Sequence, residues 1–105
     1  MNYEQAKTRA DILKALAHPI RVLLVEALSK GDRCVNELNK LVDVDQSTIS
    51  RHLAQLKKAG IVGERKQGVK VIHHLSCPCM LRAIDCSVEV LKTVTKRQRT
   101  VLRGH

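Results

Sequence analysis

The stretch Asp45–Leu75, DQSTISRHLAQLKKAGIVGERKQGVKVIHHL, changes its hydrophobic period midway, and that change decides the fold. In the first half Ile49, Leu53 and Leu56 recur at helical spacing, Asp45 stands where an N-cap carboxylate belongs, and Gly60 stands where a helix ends. The spacing predicts a helix from about Gln46 to Ala59 whose other face is polar throughout. Past Gly60 the period becomes two: Ile61-Val62 leads into Glu64-Arg65-Lys66, Gln67-Gly68 turns the chain, and Val69 to Leu75 returns. Alternating runs on either side of a glycine turn make a β-hairpin, here a basic one.

Working outward, Val35, Leu38, Leu41 and Val42 form a short helical stripe that stops at Asp43-Val44-Asp45. Before it, Ile20, Leu23, Leu24, Ala27 and Leu28 follow the i, i+3, i+4, i+7, i+8 pattern of a helix of about ten residues, with Pro19 in its first turn and Gly31 at its exit. Ile12, Leu13 and Leu16 mark a first helix over Glu4–Ala17, interrupted at His18-Pro19 because proline disfavours helix in the residue before it. On the far side, Met80, Leu81, Ile84, Val88, Leu91 and Val94 restore a helical stripe from Pro78 to about Lys96, ahead of the basic KRQRTVLRGH end. The expected fold class is mostly α with a small β-hairpin, a winged helix-turn-helix of about five helices and a two-stranded wing. One winged-helix domain is expected over 1–97, with a basic flexible tail over 98–105 and neither a repeat nor a linker.

With 105 residues the chain holds one compact domain, and 44% hydrophobic residues give it a core. Nineteen Lys and Arg against ten Asp and Glu leave +9, which favours a polyanionic partner. A single aromatic residue, Tyr3, removes the stacking platforms of single-strand and RNA readers. No apolar run approaches the roughly 20 residues of a spanning helix, and the start MNYEQAKTRAD lacks the order of a secretory signal, so a cytoplasmic location without membrane is expected. Neither a glycine-rich phosphate loop nor a triad is present, so an enzyme is not expected.

Gln46, Ser47, Thr48, Ser50 and Arg51 lie at or near the N-terminal end of the predicted fourth helix, where a recognition helix meets base edges and phosphates; Gln55, Lys57 and Lys58 lie farther along. Arg65, Lys66, Gln67 and Lys70 place the wing against the neighbouring backbone or minor groove. For either element alone a solvated face is the plainer reading. Helix, turn, helix and basic hairpin in that order, with +9, favour double-stranded DNA; a sequence-nonspecific DNA coat and a peripheral membrane protein are the competing classes.

Several segments resemble the ArsR/SmtB metalloregulatory repressors over nearly the whole chain. Leu16-Ala17-His18-Pro19-Ile20-Arg21 is similar to that family's first helix junction and Cys34-Val35-Asn36-Glu37-Leu38 to its third helix. Ser47-Thr48-Ile49-Ser50-Arg51-His52-Leu53 resembles its recognition helix and Arg65-Lys66-Gln67-Gly68 its wing. The resemblance implies a homodimer formed mainly by the first and last helices, bound to an imperfect palindrome in its own promoter and released when an inducer fills a sensor site.

Arsenic-responsive relatives carry Cys-x-Cys at the start of the third helix; here Cys34 matches the first position and Asn36 replaces the second, which leaves Cys34 as a buried structural cysteine. Zinc-responsive relatives place Asp-x-His at the start of the last helix, where this chain has Cys77-Pro78-Cys79, and the partner-subunit His and Glu positions of those relatives are Val90 and Thr93 here. Cys86 lies seven residues, about 10.5 Å, beyond Cys79 on nearly the same face. In the antiparallel pairing the resemblance implies, Cys86 of the partner subunit comes within four residues, roughly 6 Å along the axis, of Cys79. A shared set of Cys77, Cys79 and the partner's Cys86 suits arsenite or antimonite; a fourth ligand, His74 or Cys34, suits a soft divalent metal such as cadmium, lead or zinc. Thiol redox or persulfide sensing on the same fold is the alternative, and helix-start and core cysteines are the plain one. His73 and His74 are expected to be structural, and His18 and His52 to cap or pack.

Overall fold

The structure, a computed structural model, describes the backbone of residues 1–103 and the side chains of residues 1–97. Five helices and one antiparallel hairpin follow each other as α1 (Tyr3–Leu16), α2 (Pro19–Ser29), α3 (Val35–Leu41), α4 (Gln46–Lys58), β1 (Val62–Gln67), β2 (Lys70–Leu75) and α5 (Met80–Arg103). This is the winged helix-turn-helix that the periodicities predict.

Local chemistry sets most boundaries. Asn2 and Gln5 close a reciprocal capping box on α1. His18 takes the extended conformation that Pro19 imposes on it, and its Nδ1 accepts the Ile20 N–H at 3.1 Å, so the residue that breaks α1 from α2 also caps α2. Gly60, at φ +83°, takes the left-handed conformation that ends α4.

The core gathers Leu24, Val25, Leu38, Val42, Ile49, Leu56 and Ile61, all fully buried. Two stripe assignments change. Leu23 is exposed and Val25 buried, because α2 is the central helix, with α3, α4, β2 and α5 all packed around it, and its buried arc is wider than one stripe. Leu41 is exposed on the last turn of α3, while the chain extends at Val42 and turns that side chain inward.

In the hairpin Val62 pairs with Leu75 and Gln67 with Lys70, so the loop is Gly68-Val69, one residue later than the Gln67-Gly68 turn read from sequence. Gly68 has φ +66° at the first loop position, as a type II′ turn requires. Arg33 and His73 exchange backbone hydrogen bonds of 3.0 and 2.8 Å, which adds a one-residue third strand and ties the wing's base to the α2–α3 loop.

The last helix also runs longer than its expected end near Lys96, continuing to Arg103. Lys, Arg, Gln and Leu propagate a helix well, and no glycine or proline intervenes before Gly104. The flexible tail expected over 98–105 lies outside the residues whose side chains are described. Among the described residues α5 packs on the core at its start, through Met80 and Ile84; the radius of gyration is 16.7 Å, against about 13 Å for a compact domain of this length. Among the described residues no helix is long and apolar enough to cross a membrane.

Candidate nucleic-acid interface and thiol site

Asp45 anchors the start of α4: its carboxylate accepts the Thr48 N–H at 2.8 Å and the Ser47 hydroxyl at 3.2 Å, and the Thr48 side chain first, then the Thr48 N–H and the Ser47 hydroxyl, hold it below the usual carboxylate range. Ile49, His52, Leu53 and Leu56 are buried beneath the helix, which leaves Gln46, Ser47, Ser50, Arg51 and Gln55 exposed along its outer face; Thr48 is half-buried. From Gln46 to Arg51 the face covers about 7.5 Å of axis, two base-pair steps, with Gln55 about 6 Å farther. Gln46 is held in place, its Nε2 donating to Asn36 Oδ1 of α3 at 2.5 Å. Asn36 thus orients the Gln46 side chain across the turn, a role visible only once the two helices are placed.

The basic residues sort into engaged and unengaged groups. Lys57 pairs with Glu64 of β1 at 2.5 Å, and Glu64 also lies 3.8 Å from the buried His73, so the end of the reading helix is braced to the wing. Arg65 pairs with Asp32 at 2.8 Å, which braces the wing to the α2–α3 loop. Arg51, Lys66 and Lys70 form no salt bridge among the described residues and are exposed. Strand alternation sets Lys66, opposite Val71, on one face of the hairpin and Lys70, opposite Gln67, on the other. Val69 stands fully exposed at the tip between them.

Beneath α4 lies a cluster that fixes its tilt. Arg21 donates from Nε to His52 Nδ1 at 3.0 Å and from Nη1 to the Ala15 carbonyl at 2.9 Å, and the His18 ring lies 4.3 Å from that of His52. His18 and His52 therefore cap and pack, as expected. Burial first, then the charges of His18, Arg21 and Arg51, push His52 below the ordinary imidazole range.

The thiols occupy two places. Cys34, buried, begins α3 and lines a groove with Val69, Lys70 and Val71 of the wing tip. Cys77 and Cys79 sit at the opposite end of β2, in the turn that joins it to α5, where Cys77 O accepts the Met80 N–H at 3.0 Å. Their sulfurs lie 2.8 Å apart, Cys77 half-buried and Cys79 exposed. The hydrogen bond and charge of Cys77 push the Cys79 thiol up. Cys86 is exposed on α5. Within one chain, no three His, Cys, Asp or Glu side chains converge on a metal-sized site among the described residues. His74 lies against Gly63, where an added Cβ would fall 2.5 Å from His74 Nε2, and its buried Nδ1 has no hydrogen-bond partner among the described residues. Gly63 went unmarked in the sequence because the need for it arises across the strand pair.

A family profile described as "Bacterial regulatory protein, arsR family" matches residues 18–64, the segment from the α2 cap through the reading helix into the wing. An uncharacterized HTH-type transcriptional regulator of Mycobacterium tuberculosis is 33% identical over 97 residues, 91% of this chain and 85% of its own. The crystal structure of that protein superimposes with a TM-score of 0.77 at 30% identity, covering 92% of this chain and 98% of its own. A biofilm growth-associated repressor of Agrobacterium fabrum is 37% identical over 82 residues, 78% of this chain and 70% of its own. The transcriptional repressor BigR of Xylella fastidiosa aligns with a TM-score of 0.71 at 29% identity, over 86% of this chain and 96% of its own. Sequence and architecture agree, and the chain belongs to the ArsR/SmtB family of winged helix-turn-helix transcriptional regulators, a family of DNA-binding proteins rather than enzymes.

Proposed function

We propose that the protein is a homodimeric cytoplasmic repressor that holds a palindromic operator through α4 and the wing and releases it when a thiophilic inducer binds at the start of α5. Arsenite or antimonite is the favoured inducer, bound by Cys77, Cys79 and the partner's Cys86; a soft divalent metal ion is the second choice. The observation that carries this reading is the 2.8 Å approach of two soft donors in the joint between wing and α5. Two thiolates in one chain are one short of the trigonal set a trivalent metalloid takes, which is why a second subunit is invoked.

The dimer has independent support. Ile84, Val88, Leu91 and Val94 recur at i, i+4, i+7 and i+10 along α5; Val88, Leu91 and Val94 are exposed, as are Tyr3, Ile12 and Leu13 of α1. Burying apolar area of this kind yields roughly 25 cal/mol per Å². Two copies joined through it present two reading helices to major grooves about 34 Å apart on one DNA face. An inducer favouring a different α5–α5 geometry lowers operator affinity by its differential affinity for the two arrangements, typically about 1 to 3 kcal/mol.

The test is a mobility shift on DNA upstream of the gene, with antimonite, arsenite, cadmium and zinc added separately to reduced protein. Release by a thiophilic ion that disappears in Cys77→Ser, Cys79→Ser and Cys86→Ser, yet survives in Cys34→Ser, supports the site. A response lost only in Cys34→Ser moves the sensor to α3 and defeats this placement. Equal affinity for random DNA replaces the operator reading with a nonspecific coat.

A further inference from the structure

Cys77 and Cys79 already face each other within one chain, with no contribution from a second subunit. We propose that they form a chain-local redox pair, which a hydroperoxide closes to a Cys77–Cys79 disulfide that weakens operator binding. The effect on DNA rests on the function proposed above; the bond formation does not.

The steps follow from exposure. Cys79 is exposed and meets the oxidant first, whereas Cys77 is half-buried beside it. Cys79 attacks the O–O bond as its thiolate, a form the hydrogen bond and charge of Cys77 make scarcer, and becomes a sulfenic acid; the thiol proton goes to the departing oxygen, which leaves as an alcohol, or as water when the oxidant is hydrogen peroxide. Cys77 sulfur, 2.8 Å away, then attacks the Cys79 sulfur, forms the S–S bond and expels water. Two thiols have lost two electrons and the peroxide oxygens have gained them. Within one chain neither other thiol competes, since Cys34 is buried at the wing-tip end of the hairpin and Cys86 lies about 10.5 Å along the helix from Cys79; the partner's Cys86, at roughly 6 Å along the axis in the proposed dimer, stands farther from Cys79 than Cys77 does.

Position makes the bond consequential. The carbonyls of Cys77, Pro78 and Cys79 accept the N–H groups of Met80, Leu81 and Arg82 at 3.0 to 3.1 Å, so this tripeptide is the first turn through which β2 hands the chain to α5. A covalent bridge across one residue, with the φ of Pro78 fixed inside the ring, cannot leave that turn unchanged. Strained, exposed disulfides are also the readily reduced ones, so a dithiol reductant restores the open state.

Trypsin separates the possibilities, because Cys77 and Cys79 share the peptide Val71–Arg82, Cys86 falls in Ala83–Lys92 and Cys34 in Cys34–Lys40. After hydrogen peroxide treatment of the reduced full chain, Val71–Arg82 is expected lighter by two hydrogens and closed to alkylation, with the other two peptides still alkylated. Operator affinity is expected to fall about tenfold and to return with dithiothreitol. Cys86→Ser is expected to close the pair as the parent does, and Cys77→Ser to stop at a Cys79 sulfenic acid captured by a dimedone probe. A bond joining Val71–Arg82 to Ala83–Lys92, no bond at all, or a closed pair with unchanged operator affinity overturns the proposal. A parallel antimonite titration keeps the two readings apart: release by antimonite without ring closure sinks only the redox pair, and ring closure with release by peroxide but not by antimonite sinks only the metalloid site.

Discussion

Three cations of one hairpin, Arg65, Lys66 and Lys70, look equivalent in the sequence and are not equivalent in the fold. Arg65 is bound to Asp32 at 2.8 Å, whereas Lys66 and Lys70 extend from opposite faces with no salt bridge among the described residues. In the proposed dimer each substitution acts twice, so Lys66→Ala removes two phosphate contacts and flattens the plot of log affinity against log salt by about 1.8. A fourfold fall in salt, from about 200 to about 50 mM, then widens the deficit against the parent roughly tenfold. Lys70→Ala is expected to do the same, and Arg65→Ala to leave the slope nearly unchanged, because its charge is already neutralised by the protein. Fluorescence anisotropy on a labelled operator and on a scrambled duplex, at four or more salt concentrations, gives the slopes. Arg51→Ala supplies the contrast: a base-edge contact carries about 1 to 3 kcal/mol of discrimination, so its loss falls on the operator and not on the scrambled DNA. If Arg65→Ala flattens the slope as much as Lys66→Ala, the division into engaged and unengaged cations is wrong.

Stability is expected to fall with acid in a defined window. His52 is pushed down by burial and by His18, Arg21 and Arg51; His73 is pushed down by burial against the opposing pull of Glu64. Both are neutral in the folded chain and protonate more readily once unfolded, so stability is complete above about pH 6.5 and is lost as pH falls below it toward the folded-state values. Urea midpoints at stepped pH check this, and His52→Phe is expected to shrink the acid loss; an unchanged acid limb refutes the His52 share. Gly63→Ala forces the His74 ring out of its seat, 2.5 Å from the new Cβ, and is expected to cost about 1 to 3 kcal/mol, part of it recovered in the Gly63→Ala, His74→Ala double variant. Leu91→Asp on the exposed stripe of α5 is expected to sediment as a folded monomer with weak operator binding; a dimer of parental affinity refutes the use of that stripe.

What the sequence disclosed was what short-range chemistry decides. Asp45 as a cap, His18-Pro19 as a break, Gly60 as a stop and the Ile49, Leu53, Leu56 stripe each act within a turn or two of helix, so the elements and their order could be read directly. The missed features join residues far apart in the chain. Arg21 reaches His52 across 31 positions and Arg65 reaches Asp32 across 33, so no local pattern could say which partner holds the packed His52 or that one wing arginine is spoken for. Leu23 and Val25 exchanged roles for a related reason: a helix surrounded by four elements has no single inner stripe. The thiols were half legible. Spacing set Cys77 and Cys79 together, but their exposure and the wing-tip setting of Cys34 came only with the packing.

The reach of α5 makes protein quantity a physical variable. A helix of 24 residues, about 36 Å, whose described apolar stripe is exposed from Val88 to Val94 would, in the proposed dimer, add to the stability of the folded chain through encounters between molecules. In the proposed dimer, mass action then governs the regulator: its melting temperature is expected to rise with its own concentration, and dilution to remove dimer and bound operator together. If the proposed dimer also limits its own synthesis, a threshold in copy number would control it as well as its inducer, because below that threshold there would be no assembled reader for an inducer to release.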